Sequence, residues 1–412
     1  MFRYKGKEIE PQKVAAQLSV QAILNGRVVQ RGEDLTLYLS LVNAPTGNQI
    51  WGEQYNRKLA DLVSLQSEIA RDVSEKLRLR LTSGEQQRLS KQLTQNPEAY
   101  QLYLNGLFYD RRKEIESQRK ALDYYHGAIA LDPNFALAYA GMSSTYTFLA
   151  ESSVDAKEAL SLSKAATMKA LELDDSLAEA HWALADIKAN EWDWAGAENQ
   201  YKRAIELNPS LAGAHYDYAY YLSCLERHSE ALAEIKRAQE LDPLNLHFRA
   251  TEGFILLFAR RYDEAIQRLQ SVIKTEPDNP VGHNFLGYTY ASKGLYPEAI
   301  AEYQKFVSLE KGSTSGECYL GYAYAMSGKH SEALALLQKL KTTKEYVSPA
   351  ELAILWVGLG NKEEALDLLG KAYEAHDLQL RHLNVDRHYD SLRAEPRFQD
   401  LVRRVGLPAD LH

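Results

Sequence analysis

The sequence lacks most features of secreted, membrane-spanning or cysteine-based metal proteins. Its 412 residues include only two cysteines, Cys224 and Cys318, so neither a disulfide framework nor a metal knuckle is expected. No stretch approaches the roughly 18 consecutive apolar residues of a transmembrane helix, which predicts that the chain does not insert into a membrane. The first residues contain no apolar run of the secretory type, so we expect a cytoplasmic location.

Positive charge is also scarce over most of the chain. The formal net charge is −8, and residues 96–412 carry 34 Lys and Arg against 46 Asp and Glu. Residues 1–95 have the opposite balance, with 14 against 10. Because an acidic surface is repelled by phosphate backbones, the large C-terminal part is not expected to bind nucleic acid.

The motifs of common catalytic sites are missing as well. The sequence contains no G-x-S-x-G nucleophile elbow, no Gly-rich phosphate-binding loop and no dinucleotide fingerprint. The kinase motifs H-R-D and D-F-G are absent too. We therefore expect a protein that is not an enzyme and that uses no cofactor and no metal.

What the sequence does contain is a pattern with a period of 34 residues. Pro209, Pro243 and Pro277 are each 34 residues apart. A small residue stands twelve residues before each proline position, and a large residue follows four residues later. These pairs are Ala121 and Tyr125, Ala197 and Tyr201, Ala231 and Ile235, Ala265 and Leu269, and Ala299 and Tyr303. Such a period indicates stacked copies of one structural unit.

The spacing within each unit predicts two amphipathic helices. A second position, earlier in each unit, also holds a small residue. It allows the backbones of the two helices to approach closely, and the large side chain fills the space opposite it. Proline then ends the second helix. The second small position is occupied in successive units by Ala185, Ala219, Gly253, Gly287 and Gly321.

These small, large and proline positions resemble the tetratricopeptide repeat. About eight units cover residues 96 to roughly 377. The resemblance implies a mainly α fold, an α–α superhelix or solenoid of stacked helix pairs. It also implies that the chain binds a protein or peptide partner.

The residues before the repeats have a period of two instead. Residues 34–42 alternate between apolar and polar, and residues 20–29 and 50–55 are further strand-like stretches between turns. We expect a small α/β segment with a three-stranded antiparallel meander. A helix near residues 11–18 is expected before it, and a longer helix near residues 59–81 after it.

Two flanking segments resemble parts of one kind of bacterial signalling protein. Asn25–Gly32 and Ile50–Tyr55 resemble the second half of a TolB-amino-terminal-like domain, which often precedes tetratricopeptide repeats. Leu392–Phe398 resembles the capping unit that ends such repeats. The resemblance implies three parts: a partial α/β segment with a linking helix at residues 1–92, the repeat array at 93–345, and the last repeat with its cap at 346–412.

Several residues of chemically reactive types are interpreted as structural. His181, His215 and His283 occupy one position in three units, which predicts packing rather than a shared metal site. Cys224 and Cys318 are expected to be buried apolar residues rather than nucleophiles. The trio of His382, Asp386 and His388 lacks a metal-ligand spacing, so a surface or capping role is expected for it.

The candidate binding site is the concave surface that the first helices of the repeats line in this family. Aromatic side chains dominate this surface and few of its residues are charged, which favours an apolar or amphipathic peptide. The expected peptide-binding residues are Trp182, Asp186, Tyr216, Tyr220, Phe254, Leu257, Asn284, Tyr288, Cys318 and Tyr322.

The sequence leaves two other hypotheses open. The chain could be the C-terminal regulatory fragment of a larger transcriptional regulator, Ser/Thr kinase or nucleotidyl cyclase whose effector domain is missing from it. It could also be a scaffold that self-associates through the groove or through an unpaired strand edge. The reading frame upstream of Met1 would distinguish the first of these from a stand-alone interaction module.

Overall fold

The computed structural model describes residues 11–18, 20–58, 61–76, 93–112, 114–151 and 156–408. A three-stranded antiparallel sheet lies near the N-terminus, in the order β1 (Ala22–Arg31), β2 (Asp34–Asn43) and β3 (Gln49–Lys58). Its strands pair in sequence order, as the period of two predicts.

Turn residues set the register of this sheet. Gly32 adopts a φ of 61°, which glycine tolerates, in the two-residue connection that pairs Arg31 with Asp34. Gly47 has a φ of 72° in the second turn. There the Asn43 side chain accepts a hydrogen bond from the backbone N–H of Thr46 at 3.0 Å. Both turns therefore hold the three strands in a meander.

Two short helices flank the sheet, α1 (Pro11–Leu18) and α2 (Leu62–Lys76). Helix α2 is tied to β3 by the Tyr55 hydroxyl, which donates to Asp72 at 2.6 Å, and by the ion pair of Arg57 with Glu68. The expected helix at 59–81 is thus confirmed over 62–76, and residues 59–60 and 77–81 of the expected range lie outside the described residues.

Helical hairpins follow, as the repeat pattern predicts. Among the described residues they form eight pairs, which confirms the mainly α repeat fold behind a small α/β segment. The helices are α3 (Pro97–Asp110), α4 (Ile115–Leu131), α5 (Ala136–Glu151), α6 (Ala156–Leu173), α7 (Ala178–Asn190), α8 (Trp194–Leu207), α9 (Ala212–Cys224), α10 (His228–Leu241), α11 (Leu246–Phe258), α12 (Tyr262–Thr275), α13 (Pro280–Ser292), α14 (Tyr296–Leu309), α15 (Thr314–Met326), α16 (His330–Thr342), α17 (Pro349–Gly358) and α18 (Lys362–Glu374).

Small and large residues interlock inside each hairpin. Tyr303 is fully buried on α14, and its ring faces Gly287 on α13. A Cβ atom added at Gly287 would lie 2.8 Å from the Tyr303 ring, closer than side chains pack. Gly253 faces Leu269 in the same way, at 2.6 Å. The close approach of the two helices therefore requires the small residue.

Histidines at the shared repeat position connect the two helices of a unit. His215 Nδ1 lies 2.5 Å from Glu234 on the second helix, and its Nε2 lies 3.2 Å from the Pro209 carbonyl of the preceding turn. His283 makes the equivalent contacts with Glu302 and Pro277. These histidines pack within their repeats, and no cluster of metal-ligating side chains occurs among the described residues.

Contacts group the chain into two compact units. The first contains residues 1–149 and 161–180, and the second contains residues 150–160 and 181–412. The part boundaries expected at residues 92 and 345 stay a prediction. No helix within the described ranges is long and apolar enough to cross a membrane.

The last residues of the second unit leave the repeat pattern. After α18 the chain forms two 3-10 helices, Leu378–His382 and Arg387–Leu392, and then helix α19 (Pro396–Val405). We call residues 376–408 the C-terminal segment.

Gly287→Ala is expected to lower the free energy of unfolding by about 1–3 kcal/mol, because the added methyl group displaces the buried Tyr303 ring. Gly370→Ala is the matched control, since this helical glycine has nothing within 4 Å of an added Cβ. It should stabilise α18 by about 0.5–1 kcal/mol. Urea unfolding of both variants measures the difference, and equal stability would contradict the packing described.

Candidate functional site

An aromatic row runs along the first helices of the repeats in the second unit. Tyr220, Phe254, Tyr288 and Tyr322 are spaced by 34 residues, so they occupy the same position on α9, α11, α13 and α15. Neighbouring first helices contact one another, which brings the four rings onto one surface. We call this surface the inner surface.

The C-terminal segment inserts His382 into the first part of this row. His382 Nε2 lies 2.5 Å from the Tyr220 hydroxyl, within hydrogen-bond distance. Its ring centroid lies 6.0 Å from that of Phe254 and 5.6 Å from that of Phe258. Burial, together with the nearby Arg381 charge, lowers the pKa of His382 to about 3. The imidazole is therefore neutral near pH 7 and can act as the acceptor.

A second histidine occupies the next part of the row. The His388 ring centroid lies 4.5 Å from Tyr288 and 4.4 Å from Tyr322, with an edge-to-face orientation in the latter case. His388 Nδ1 lies 2.8 Å from Asp386, and both side chains are almost fully buried. Burial acts to raise the pKa of Asp386, but the charge and hydrogen bonds of His388 outweigh it and lower that pKa.

Apolar packing and hydrogen bonds anchor the segment further. The Tyr389 hydroxyl donates to the Ala350 carbonyl at 2.8 Å, and the buried Asp377 accepts from the Ser348 hydroxyl at 2.6 Å. Leu380 and Leu392 are fully buried in the same core as the aromatic row. The C-terminal segment is thus an integral part of the folded second unit.

The segment also connects the last repeat to the first repeat of the second unit. The His376 ring stacks on Trp192 with centroids 3.9 Å apart, and His376 Nε2 lies 2.7 Å from the Asn190 carbonyl. Trp194 Nε1 donates to the Val405 carbonyl at 2.8 Å. These contacts join residues about 190–210 positions apart in sequence, so the second unit closes on itself.

The structure places five of the ten expected groove residues in this covered region. Tyr220, Phe254, Tyr288 and Tyr322 contact histidines of the C-terminal segment, and Leu257 is buried in the same core. Phe254, Leu257, Tyr288 and Tyr322 are buried there and Tyr220 is partly exposed, so peptide binding by these residues stays a prediction.

Four other expected groove residues stay half-buried on the first helices. Trp182 Nε1 donates to Asp217 at 2.8 Å, and Asp186 accepts from the Tyr201 hydroxyl at 2.6 Å. Tyr216 and Asn284 hold the same repeat position as Trp182. This position, which Cys318 also holds, lies one helical turn before the aromatic row.

Cys318, the tenth expected residue, is a core residue. It is fully buried against Leu337, Leu340 and Leu355, away from the aromatic row. Helices α16 and α17 both pack against α15, and Cys318 lies on the side of α15 that they cover. Burial raises the pKa of its thiol, and burial also raises the pKa of the Cys224 thiol to about 12. Neither cysteine has the environment of a nucleophile.

Sequence reasoning missed the residues that meet the row from the other side. For His382, Asp386 and His388 the surface alternative is wrong, because all three are buried. The capping alternative is confirmed for Asp386, which caps the second 3-10 helix by accepting from the His388 backbone N–H. Phe258 and Tyr319 complete the two histidine environments. A run of polar and ring side chains just after the last repeat was the available signal.

Comparisons with known proteins agree with the fold. Residues 252–315 match the family model of the tetratricopeptide repeat, so the chain carries tetratricopeptide repeats. A putative adenylate cyclase 3 of Rhizobium meliloti (strain 1021) is 30% identical over 186 residues. This match covers 45% of the present chain and 32% of the cyclase, so the chain spans about a third of that relative.

Two solved structures are similar to this chain at low sequence identity. Yeast Tom70 is 16% identical with a TM-score of 0.45, covering 74% of this chain and 67% of Tom70. A tetratricopeptide repeat protein from Parabacteroides merdae ATCC 43184 is 14% identical with a TM-score of 0.45, covering 65% of this chain and 99% of the other.

The buried His382 predicts a specific pH dependence of stability. The unfolded chain binds a proton at His382 below about pH 6.5, whereas the folded chain does so only near pH 3. The free energy of unfolding should therefore fall as the pH is lowered through this range, by at most about 1.4 kcal/mol per pH unit from this group.

His382→Gln removes this titration and keeps a side-chain acceptor near Tyr220. Urea unfolding of both proteins at pH 7 and pH 5 measures the effect, and the stability advantage of the parent chain should shrink at pH 5. A difference that does not change with pH would contradict the neutral, buried state of His382.

Proposed function

We propose that this chain is a non-catalytic protein-interaction module that binds a segment of a partner protein. The partner contacts the part of the inner surface that the C-terminal segment leaves uncovered, at Trp182, Tyr216 and Asn284. The observation that supports this most directly is that the inner surface already holds one polypeptide segment through aromatic rings.

The uncovered side has the chemistry of a recognition surface. Tyr216 stacks on Phe248 with centroids 5.0 Å apart, and its hydroxyl lies 2.8 Å from His247 Nε2. Trp182 is held by Asp217 one repeat away. Rigid, half-buried tyrosine and tryptophan side chains are typical anchors for a partner.

The free energy of exposing the C-terminal segment favours partner binding on this side over binding at the covered row. Five large side chains of the C-terminal segment are buried: Leu378, Leu380, Leu383, Tyr389 and Leu392. At about 1.5–3 kcal/mol each, exposing them costs roughly 8–15 kcal/mol. A peptide with micromolar affinity gains only about 8 kcal/mol on binding. We therefore assign Tyr220, Phe254, Leu257, Tyr288 and Tyr322 to holding the C-terminal segment.

Tyr216→Ala tests the binding surface. Peptides selected from a displayed random library against the immobilised full chain should bind the parent protein, and Tyr216→Ala should weaken them by about tenfold or more. Tyr346→Ala is the matched control, because this tyrosine is 37% exposed outside the inner surface. Fluorescence anisotropy measures each Kd. Failure to select any binder, or equal loss in both variants, would overturn the proposal.

A second candidate role follows from one comparison. We propose that the module is the regulatory part of a bacterial signalling protein, since 186 of its residues match a protein named as an adenylate cyclase. The word cyclase is part of that protein's name, and no cyclase activity is assigned to this chain. In this view the repeats receive a partner and transmit its binding to an effector.

The intact mass of the native protein tests this second role. A mass well above 46.6 kDa is expected if the repeats are one part of a longer signalling protein. A native mass equal to that of this sequence would contradict the regulatory-part hypothesis and leave a stand-alone interaction module.

A further inference from the structure

A cavity of about 420 Å³ opens beside the C-terminal segment. The end of α13 and the starts of α12 and α14 form one side of it, and the second 3-10 helix forms the other. Its volume lies in the range of about 300–1,000 Å³ that is typical of small-molecule sites. The cavity exists only because the segment folds back onto the repeats.

The charge beside this cavity has a sign opposite to that of the whole chain. Asp390 is paired with three arginines, with Arg393 at 2.8 Å, Arg387 at 3.2 Å and Arg260 at 3.9 Å. One carboxylate cannot neutralise three guanidinium groups, so a local excess of positive charge remains in a protein of net charge −8. Such an excess attracts an anionic group.

Aromatic rings form the remaining walls. Tyr262, Tyr296 and Tyr322 line the cavity, and the Arg387 guanidinium donates to the Tyr262 hydroxyl at 3.0 Å. This contact holds Arg387 at the edge of the cavity with its planar group beside a ring. Flat apolar walls next to a cation suit a ligand with a planar part and an anionic part.

Two polar atoms on lining residues also lack partners. The Ser292 hydroxyl and His388 Nε2 are buried and form no hydrogen bond with any described residue. Buried polar groups are usually satisfied, so two such atoms in the wall of one cavity need an explanation. Both atoms lie behind the cavity surface, so a ligand with polar atoms reaches them only if the wall shifts.

We propose that this cavity binds a small anionic ligand that carries a planar apolar group. The carboxylate or phosphate of the ligand lies near Arg387, and its planar part lies between the tyrosine rings. The site is separate from the partner-binding surface at Trp182 and Tyr216, so either proposal can fail without the other.

Phenyl phosphate and benzoate are the probes, titrated into the full chain by calorimetry. We expect phenyl phosphate to bind more tightly than inorganic phosphate, because only the former fills the aromatic part. Comparison with benzoate shows whether phosphate or carboxylate is preferred. If neither aromatic probe binds at concentrations up to about 10 mM, the proposal is overturned, because the affinity is then weaker than that of any specific site of this kind.

Arg387→Gln should weaken binding of the preferred probe by about tenfold or more, since a charge-assisted hydrogen bond is lost. Arg387→Lys should retain part of the affinity, which separates loss of charge from loss of fold. Arg404→Gln is the matched control, because Arg404 lies over the Tyr373 ring and does not line the cavity. Unchanged affinity in Arg387→Gln, or an equal loss in Arg404→Gln, would contradict the assignment.

Discussion

The packing of the C-terminal segment on the aromatic row determines the organisation of the second unit. The row at Tyr220, Phe254, Tyr288 and Tyr322 would otherwise be a long apolar strip exposed to water. The segment, for its part, contains two short 3-10 helices that cannot be stable in isolation. Each surface therefore requires the other, and His382 and His388 are the side chains that join them.

This arrangement divides the inner surface into two regions with different proposed roles. The covered region is part of the core, where aromatic rings enclose two buried histidines. The other region keeps Trp182 on α7 and Tyr216 on α9 half-buried. The arginine-rich cavity forms at the outer margin of the segment, around Asp390. One chain reversal thus places a closed core, the half-buried Trp182 and Tyr216 and a cavity lined by Arg387 within a single unit.

The repeats could be predicted from the sequence because each rule acts over a short distance. Gly287 and Tyr303 are 16 residues apart, and their 34-residue recurrence is visible without any structure. The covering of the row is not visible in the same way. Tyr220 and His382 are 162 residues apart, and nothing periodic relates them. Tyr216 and Tyr220 are both aromatic and differ by about one helical turn, and nothing in the local pattern shows that Tyr220 contacts His382. Local pattern identifies the helix face, whereas long-range packing decides what covers it.

Amide hydrogen exchange of the intact chain tests the central claim most directly. The amides of Leu380, Leu383 and Tyr389 donate backbone hydrogen bonds within the C-terminal segment. If the segment is part of the core, these amides should exchange with the same free energy of opening as amides in α11, because both become exposed only when the second unit unfolds. Exchange of the segment that is orders of magnitude faster, with α11 still protected, would show that the segment leaves the inner surface and would contradict this account.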